Sequence, residues 1–187
     1  NGNVLSPKHA AMLLDRDVIF LCTDEQWGRS LVNQIAYQYM IPTYNLGVRI
    51  DAPKARVIGG TGIVHVLRPG RPCLWCYEYL RADVIRAESL EPEERLRLAK
   101  ENYVTGLGSD NPSVVSITST VASHAANLFL QMVTDFMGVS GAIDCLRHDV
   151  LEGHVRRGTA TVGQACQCRK VSGFGDLKAL NTCADQG

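Results

Sequence analysis

The chain has 187 residues, enough for one domain with a hydrophobic core, and 45% of them are apolar. Its formal net charge is zero, which argues against the basic surface of a nucleic-acid-binding protein. No apolar run approaches the roughly 20 residues of a membrane-spanning helix, and no N-terminal stretch resembles a signal peptide. Seven cysteines, an odd number, favour a reducing compartment with metal-bound or free thiols. We therefore expect a cytoplasmic protein that binds neither nucleic acid nor membrane.

The first third of the chain predicts a βαβ unit. The short apolar run at 17–22 is typical of a strand buried on both faces of a parallel sheet. A helix is expected over 25–40, capped by Thr23 or Asp24, and a second strand over 43–50. The helix is indicated by apolar residues at every fourth position, which are Trp27, Leu31, Ile35 and Tyr39. Strand, helix and strand over this distance are typical of a parallel pair with a crossover helix.

The middle of the chain changes character. Residues 62–67 predict an antiparallel strand, and the glycine-rich run 59–62 that leads into it is no phosphate loop, since no helix follows. The charged segment 89–103 predicts a surface helix, and the glycines in 105–110 predict a flexible loop.

A long helix is predicted next, with Asn111 as its cap, Pro112 in its first position and Gly138 at its end. Seven apolar residues keep helical spacing, so we expect a buried helix: Val114, Ile117, Val121, Ala125, Leu128, Met132 and Phe136. His124 lies near this stripe and is interpreted as a core or boundary histidine. Residues 143–155 predict a strand.

Four cysteines in two close pairs predict a zinc site. Cys73 and Cys76 have C-x-x-C spacing after a proline-glycine turn, and Cys166 and Cys168 follow near the C-terminus. A redox pair or two unrelated core thiols are the alternatives, but a redox C-x-x-C opens a helix after a buried strand. Four protein ligands leave no open position, so the zinc would be structural. Replacement ligands, if one sulfur cannot reach, are His148, His154 and Cys183.

Residues 17–51 resemble the ThiF/MoeB/HesA family of E1-like enzymes, relatives of the ubiquitin-activating enzymes. The matched positions follow the family's order and are Thr23, Asp24, Arg29, Asn33, Pro42 and Gly47. The C-x-x-C pair, the helical segment 112–130 and the second cysteine pair also follow in the family's order. The resemblance implies an α/β, Rossmann-like E1/ThiF fold with an antiparallel strand region and a zinc-knuckle pair.

The resemblance also implies a reaction, the ATP-dependent adenylation of the C-terminus of a ubiquitin-like or sulfur-carrier protein. It assigns Asp24 to Mg²⁺ and ATP, and Arg29 to a phosphate or the adenylate. From position alone, Asp24 is equally well explained as a helix cap, and Arg29 as the partner of a nearby acid. Asn33 is interpreted as structural. Family members are dimers, so a homodimer or an E1-like heterodimer is expected.

The sequence departs from the family pattern in three places. It has no G-x-G-x-x-G loop, position 25 is Glu where the family has Asn, and 77–111 contains no thioester cysteine. Either the protein stops at adenylation, or that thiol lies elsewhere, with Cys145 and Cys183, otherwise interpreted as core or tail thiols, as the spare candidates. Cys22 is interpreted as a small buried hydrophobe. We therefore expect 1–187 to be the C-terminal part of one ThiF-like domain, inactive when isolated. It would contain a helical crossover over 77–111 and a loose tail over 175–187.

Two alternatives to the adenylating enzyme remain. One is a non-catalytic E1-like subunit that pairs with an active partner, which the missing glycine loop favours. The other is a nucleotide-binding oxidoreductase of general Rossmann type, which the two cysteine pairs disfavour.

Overall fold

The computed structural model describes residues 2–52, 56–91, 93–95, 97, 114–138 and 142–183. In chain order the strands are β1 (Ile19–Leu21), β2 (Thr43–Asp51), β3 (Gly59–Leu67), β4 (Cys145–Asp149) and β5 (His154–Arg157). The helices are α1 (Pro7–Ala11), α2 (Gln26–Gln38), α3 (Ala82–Glu88), α4 (Val115–Thr134) and α5 (Gln167–Val171), followed by a 3₁₀ turn at Gly175–Leu177. The strands form one five-stranded sheet in the order β1-β2-β3-β4-β5. The β1–β2 pair is parallel and the other neighbours are antiparallel.

The predicted βαβ unit is present at the edge of this sheet. Ile19 of β1 lies opposite Thr43 of the parallel strand β2, and α2 connects the two strands. Leu31 and Ile35 of α2 are fully buried, with Trp27 packed against the same cluster. The predicted apolar stripe of α2 is therefore confirmed.

Polar side chains on α2 hold the C-terminal segment. The Gln38 amide donates to the carbonyl of Gly175, and the Gln34 amide donates to that of Ala179. The Asn181 backbone N–H donates in turn to the Gln34 side-chain oxygen. Up to residue 183 the expectation of a loose tail was wrong, because buried glutamines of α2 need hydrogen-bond partners and the tail supplies them.

The predicted strand over 143–155 is two strands. β4 and β5 are joined by a turn at 150–153, in which Gly153 has a φ of +68°. Glycine adopts this left-handed conformation without a steric penalty, so the chain reverses there. The predicted strand at 62–67 is confirmed and begins earlier, at Gly59.

α4 is the predicted long helix, with a different end and a different environment. Asp135 in the left-handed region, with a φ of 52°, ends it before Gly138 is reached, and the predicted cap at 111–112 lies outside the described residues. Val121, Ala125 and Leu128 pack against the sheet, whereas Val133 is 62% exposed. The expectation of a buried helix was therefore wrong for its outer face.

The segment 77–111 is described only in part. α3 lies within it but ends before the predicted helix over 89–103, which falls largely outside the described residues, as does the whole loop over 105–110. Among the described helices, none combines the length and the apolar character that crossing a membrane requires.

Gly62 sets the distance between α4 and the sheet. A Cβ added at Gly62 would overlap Cγ2 of Val121. We expect Gly62→Ala to lower the free energy of unfolding by about 1–3 kcal/mol, since overpacking forces the helix away from the strand. Urea denaturation checks this, with Gly163→Ala as a control in open space. Adding Val121→Ala should recover part of the loss, and additive losses in the double variant would contradict the packing explanation.

Candidate functional site

A cleft of about 450 Å³ opens beyond the carboxyl end of β1. Its walls come from the β1–α2 connection and α2, from the middle of β2, and from the first turns of α4. The lining residues are Cys22, Asp24, Arg29, Leu46, Gly47, Val48, Thr118, Ser119, Val121 and Ala122. Open α/β sheets bind ligands at the carboxyl ends of their parallel strands, so this is the edge at which a ligand site is expected.

Asp24 is exposed at this cleft and does not cap α2. The N-cap residue is Glu25, which makes no side-chain capping bond, and the Glu88 carboxylate accepts from the Trp27 backbone N–H at 2.7 Å. The predicted cap at Thr23 or Asp24 was therefore wrong, because a distant acid from α3 takes that role. Within the described part of the chain, no residue donates a hydrogen bond to the Asp24 carboxylate, which leaves its oxygens available to a ligand.

Arg29 is a buried cation on the wall of the cleft. It is 6% exposed, and its Nη1 donates to Asn45 Oδ1 and, at 2.9 Å, to the Leu46 carbonyl. Its guanidinium carbon lies 5.5 Å from the centroid of the Tyr79 ring. No carboxylate among the described residues forms an ion pair with Arg29. Because an unpaired buried charge is unfavourable, this arrangement favours an anionic ligand in the cleft.

The contact between Tyr79 and β2 requires a glycine at position 47. A Cβ added at Gly47 would overlap the Tyr79 hydroxyl. The glycine of the family pattern thus lets Tyr79 close over β2 beside Arg29, and any larger residue would displace that ring.

Cys22 was missed as a cleft residue. It is exposed, since its neighbour Leu21 faces the core and successive side chains of a strand point to opposite faces. Partial burial in the cleft raises the pKa of the Cys22 thiol, and the nearby Arg29 charge opposes that shift. The apolar run at 17–22 predicted a strand buried on both faces, and that prediction was wrong, because Phe20 is 44% exposed and Cys22 lines the cleft.

The cysteine cluster is the second candidate site. The sulfurs of Cys73, Cys166 and Cys168 all lie within 4.8 Å of one another, a group that could hold a metal ion. Cys73 Sγ is 3.5 Å from Cys166 Sγ and 3.8 Å from Cys76 Sγ. Three of the four cysteines predicted from sequence therefore converge from distant segments of the chain, and Cys76 lies beside Cys73 but outside the group of three.

Two sulfur separations in the cluster can be compared with those of a tetrahedral zinc site. Zinc–sulfur bonds of about 2.3 Å in tetrahedral geometry separate the sulfurs by about 3.8 Å. The observed separations of 3.5 and 3.8 Å are close to that value and far longer than a disulfide bond. Burial raises the pKa of Cys166 to about 11, and a bound divalent cation would stabilise its thiolate at neutral pH.

Asn33 connects the cluster to α2. Its Oδ1 accepts from the Leu74 backbone N–H at 3.0 Å, and its Nδ2 donates to Cys168 Sγ at 3.0 Å. Asn33 is fully buried, in agreement with its structural interpretation. Such bonds to the backbone and the sulfurs fix the orientation of metal ligands.

The proposed replacement ligands lie elsewhere. His148 packs edge-on against His124 with ring centroids 6.0 Å apart, and His154 contacts Glu152. Cys183 Sγ donates to the Leu5 carbonyl at 3.1 Å. The buried Nε2 of His124 has no hydrogen-bond partner among the described residues.

The fold is similar to that of E. coli MccB. The structure of MccB with ATP matches with a TM-score of 0.60 and 10% identity, over 89% of this chain and 43% of that one. MccB with MccA-N7isoASN matches with a TM-score of 0.62 and 10% identity, over 90% of this chain and 44% of that one. The chain thus spans less than half the length of MccB, and neither a family model nor a curated protein matches the sequence. At this identity the shared property is the fold, which confirms the predicted α/β class with an antiparallel strand region.

Proposed function

We propose that the chain belongs to an E1-like adenylating enzyme that activates the C-terminal carboxylate of a small protein or peptide. The observation that carries this proposal is that exposed Asp24 and buried Arg29 line the same cleft at the edge of the sheet, and that no carboxylate among the described residues forms an ion pair with Arg29. The MccB fold supports it, since MccB has been solved with ATP, and with AMPCPP and MccA. The ubiquitin-like or sulfur-carrier identity of the partner rests on the sequence resemblance alone.

In the proposed reaction, the partner's carboxylate oxygen attacks the α-phosphate of ATP. A bond forms between that oxygen and the phosphorus, and the bond to the bridging oxygen breaks, which gives an acyl-adenylate and pyrophosphate. Arg29 provides a fixed positive charge for the phosphate oxygens, and its burial makes this interaction stronger than it would be in water. Asp24 offers carboxylate oxygens to Mg²⁺, which neutralises phosphate charge when bound.

The cysteine cluster takes a structural role in this proposal. Zinc held by Cys73, Cys76, Cys166 and Cys168 would join the segment after β3 to the C-terminal segment, with no position open for a reacting water. A dimer is proposed for the intact protein, and the exposed apolar outer face of α4 supports an interface there, Val133 being one such residue.

A non-catalytic E1-like subunit is the second candidate. The glycines of 59–62 lie in or beside β3 and lead into no helix, so they form no phosphate-binding loop. The phosphate loop would then come from another chain, and this chain would contribute Arg29 and Asp24 to a shared cleft.

Exchange of radioactive pyrophosphate into ATP tests the proposed function. We expect the 187-residue chain alone to give no exchange, and a longer polypeptide or a complex containing it to give exchange that depends on Mg²⁺ and on a peptide carboxylate. Binding of ATP and of NAD to each form should be measured in parallel. NAD binding without ATP binding would contradict adenylation and support the oxidoreductase alternative. Robust exchange by the chain alone would show that the expectation of an incomplete enzyme is wrong.

A further inference from the structure

Arg29 is the near end of a buried polar chain that crosses the sheet. Arg29 contacts Asn45 on β2, and Asn45 contacts His65 on β3, with Asn45 Nδ2 and His65 Nδ1 3.1 Å apart. Asn45 and His65 are 0% and 1% exposed. A chain of this kind is unfavourable unless every member is satisfied, so its presence behind the cleft requires an explanation.

The chemistry of the three groups allows one arrangement. The Arg29 guanidinium only donates, so the Asn45 oxygen must face it and the Asn45 amide nitrogen must face His65. The His65 Nδ1 therefore accepts, and the ring is neutral with its proton on Nε2. Burial, with the Arg29 and Arg147 charges, lowers the pKa of His65 to about 3, in agreement with a neutral ring.

Aromatic rings from the segment after the first cysteine pair hold the far end of this chain. The His65 ring centroid lies 4.7 Å from that of Tyr77 and 4.9 Å from that of Tyr79. Tyr79 also lies beneath the Arg29 guanidinium at 5.5 Å. His65 and Arg29 are thus fixed by the same ring, which limits the rotamers available to both.

We propose that Asn45 and His65 are positioning residues, which hold the Arg29 guanidinium at the wall of the cleft for the phosphate of the nucleotide. The inference rests on the proposed function for the identity of the anion. His65, as a neutral acceptor for the Asn45 amide N–H, keeps the Asn45 oxygen directed at Arg29. Asn45 then accepts from the Arg29 guanidinium without bringing a negative charge next to it. An aspartate at position 45 would satisfy the geometry but would neutralise the cation that the anion needs.

Two substitutions at position 65 form a matched pair. His65→Gln and His65→Leu both remove the ring contacts with Tyr77 and Tyr79, but glutamine keeps an acceptor oxygen for Asn45. The experiment is isothermal titration of Mg²⁺–ATP into the form of the protein that binds it. We expect the Kd to stay within about threefold for His65→Gln and to rise about tenfold for His65→Leu, the effect of one strong hydrogen bond. Equal losses in both variants would overturn the positioning role.

Asn45→Asp provides a second measurement that does not depend on His65. We expect about tenfold or greater loss of Mg²⁺–ATP affinity with the fold intact, because the new carboxylate pairs with Arg29. In the same variant, ¹⁵N NMR should show the His65 proton moved from Nε2 to Nδ1, because the Asn45 N–H that donates to Nδ1 is replaced by a carboxylate oxygen, which accepts. Unchanged affinity in Asn45→Asp would contradict the inference.

A second NMR measurement, of the Arg29 guanidinium protons, separates the positioning proposal from the proposed function. If no form of the protein binds ATP, the proposed function fails. The positioning of Arg29 is then decided by its slowly exchanging guanidinium protons, which should be visible in the wild type and His65→Gln and lost in His65→Leu. Their presence in His65→Leu would overturn the inference even without a nucleotide.

Discussion

Cys73→Ser is expected to destabilise the protein by about 4 kcal/mol and to lower Tm by roughly 10 °C. The ligands of the proposed zinc ion come from two distant segments of the chain, and serine does not replace a thiolate in a tetrahedral sulfur site. Loss of the ion would release the segment after β3 from α5, which contains Cys168. Differential scanning calorimetry gives Tm, and elemental analysis of the purified protein should give one zinc per chain.

A control separates metal loss from the removal of a thiol. Cys22→Ser changes an exposed cysteine outside the cluster, and we expect its Tm to stay within about 2 °C of the wild type. A strong chelator should lower Tm of the wild type and of Cys22→Ser but leave Cys73→Ser unchanged. A wild-type protein that contains no metal and does not respond to the chelator would rule out the zinc interpretation, whatever the stability of Cys73→Ser.

The local pattern of the sequence predicted the parts of the fold that local physics decides. The apolar run before Asp24, the periodicity of α2 and the cysteine spacing each led to the observed element. Apolar residues recur along buried strands and amphipathic helices with the period of the element itself. The tertiary contacts of these elements therefore agree with what the local sequence predicts.

Contacts between distant residues explain most of the errors. The N-terminus of α2 is capped by Glu88, a residue of α3. This contact joins residues 61 positions apart in sequence, and no local signal indicates it. The tail is held because Gln34 and Gln38 are buried on a helix that looks polar at those positions. Asp135 ends α4 in a left-handed conformation that sequence rules assign first to glycine.

The candidate site was only half predictable for the same reason. Asp24 and Arg29 were found through the order of motifs, whereas Asn45 and His65 carry no motif and look like strand residues with polar side chains. Their meaning depends on the register between β2 and β3, which sets Asn45 directly opposite His65. Register is a property of the paired strands, so it was available only once the structure placed them together.

Asp24→Asn is expected to reduce pyrophosphate exchange by the intact protein at least 100-fold, with little change in Tm. Removing one preorganised electrostatic contact to a developing charge lowers rates by about 10²–10³, and the amide offers Mg²⁺ one weaker oxygen ligand. The fold should tolerate the change, because Asp24 is exposed and Glu88 caps α2 in its place. The exchange rate should be measured across Mg²⁺ concentrations, where we expect the variant to need more metal.

The neighbouring acid is the matched control for Asp24. Glu25 is exposed, one position along the chain, and forms an ion pair with Arg95 at 3.6 Å, outside the cleft. Glu25→Gln removes the same unit of charge, and we expect exchange within about threefold of the wild type, since exposed ion pairs contribute little. Equal losses in Asp24→Asn and Glu25→Gln would mean that the general negative potential near α2 matters, and Asp24 would lose its role as the Mg²⁺ ligand. A loss confined to Asp24, together with a higher Mg²⁺ requirement, is the result that ligation by this carboxylate predicts.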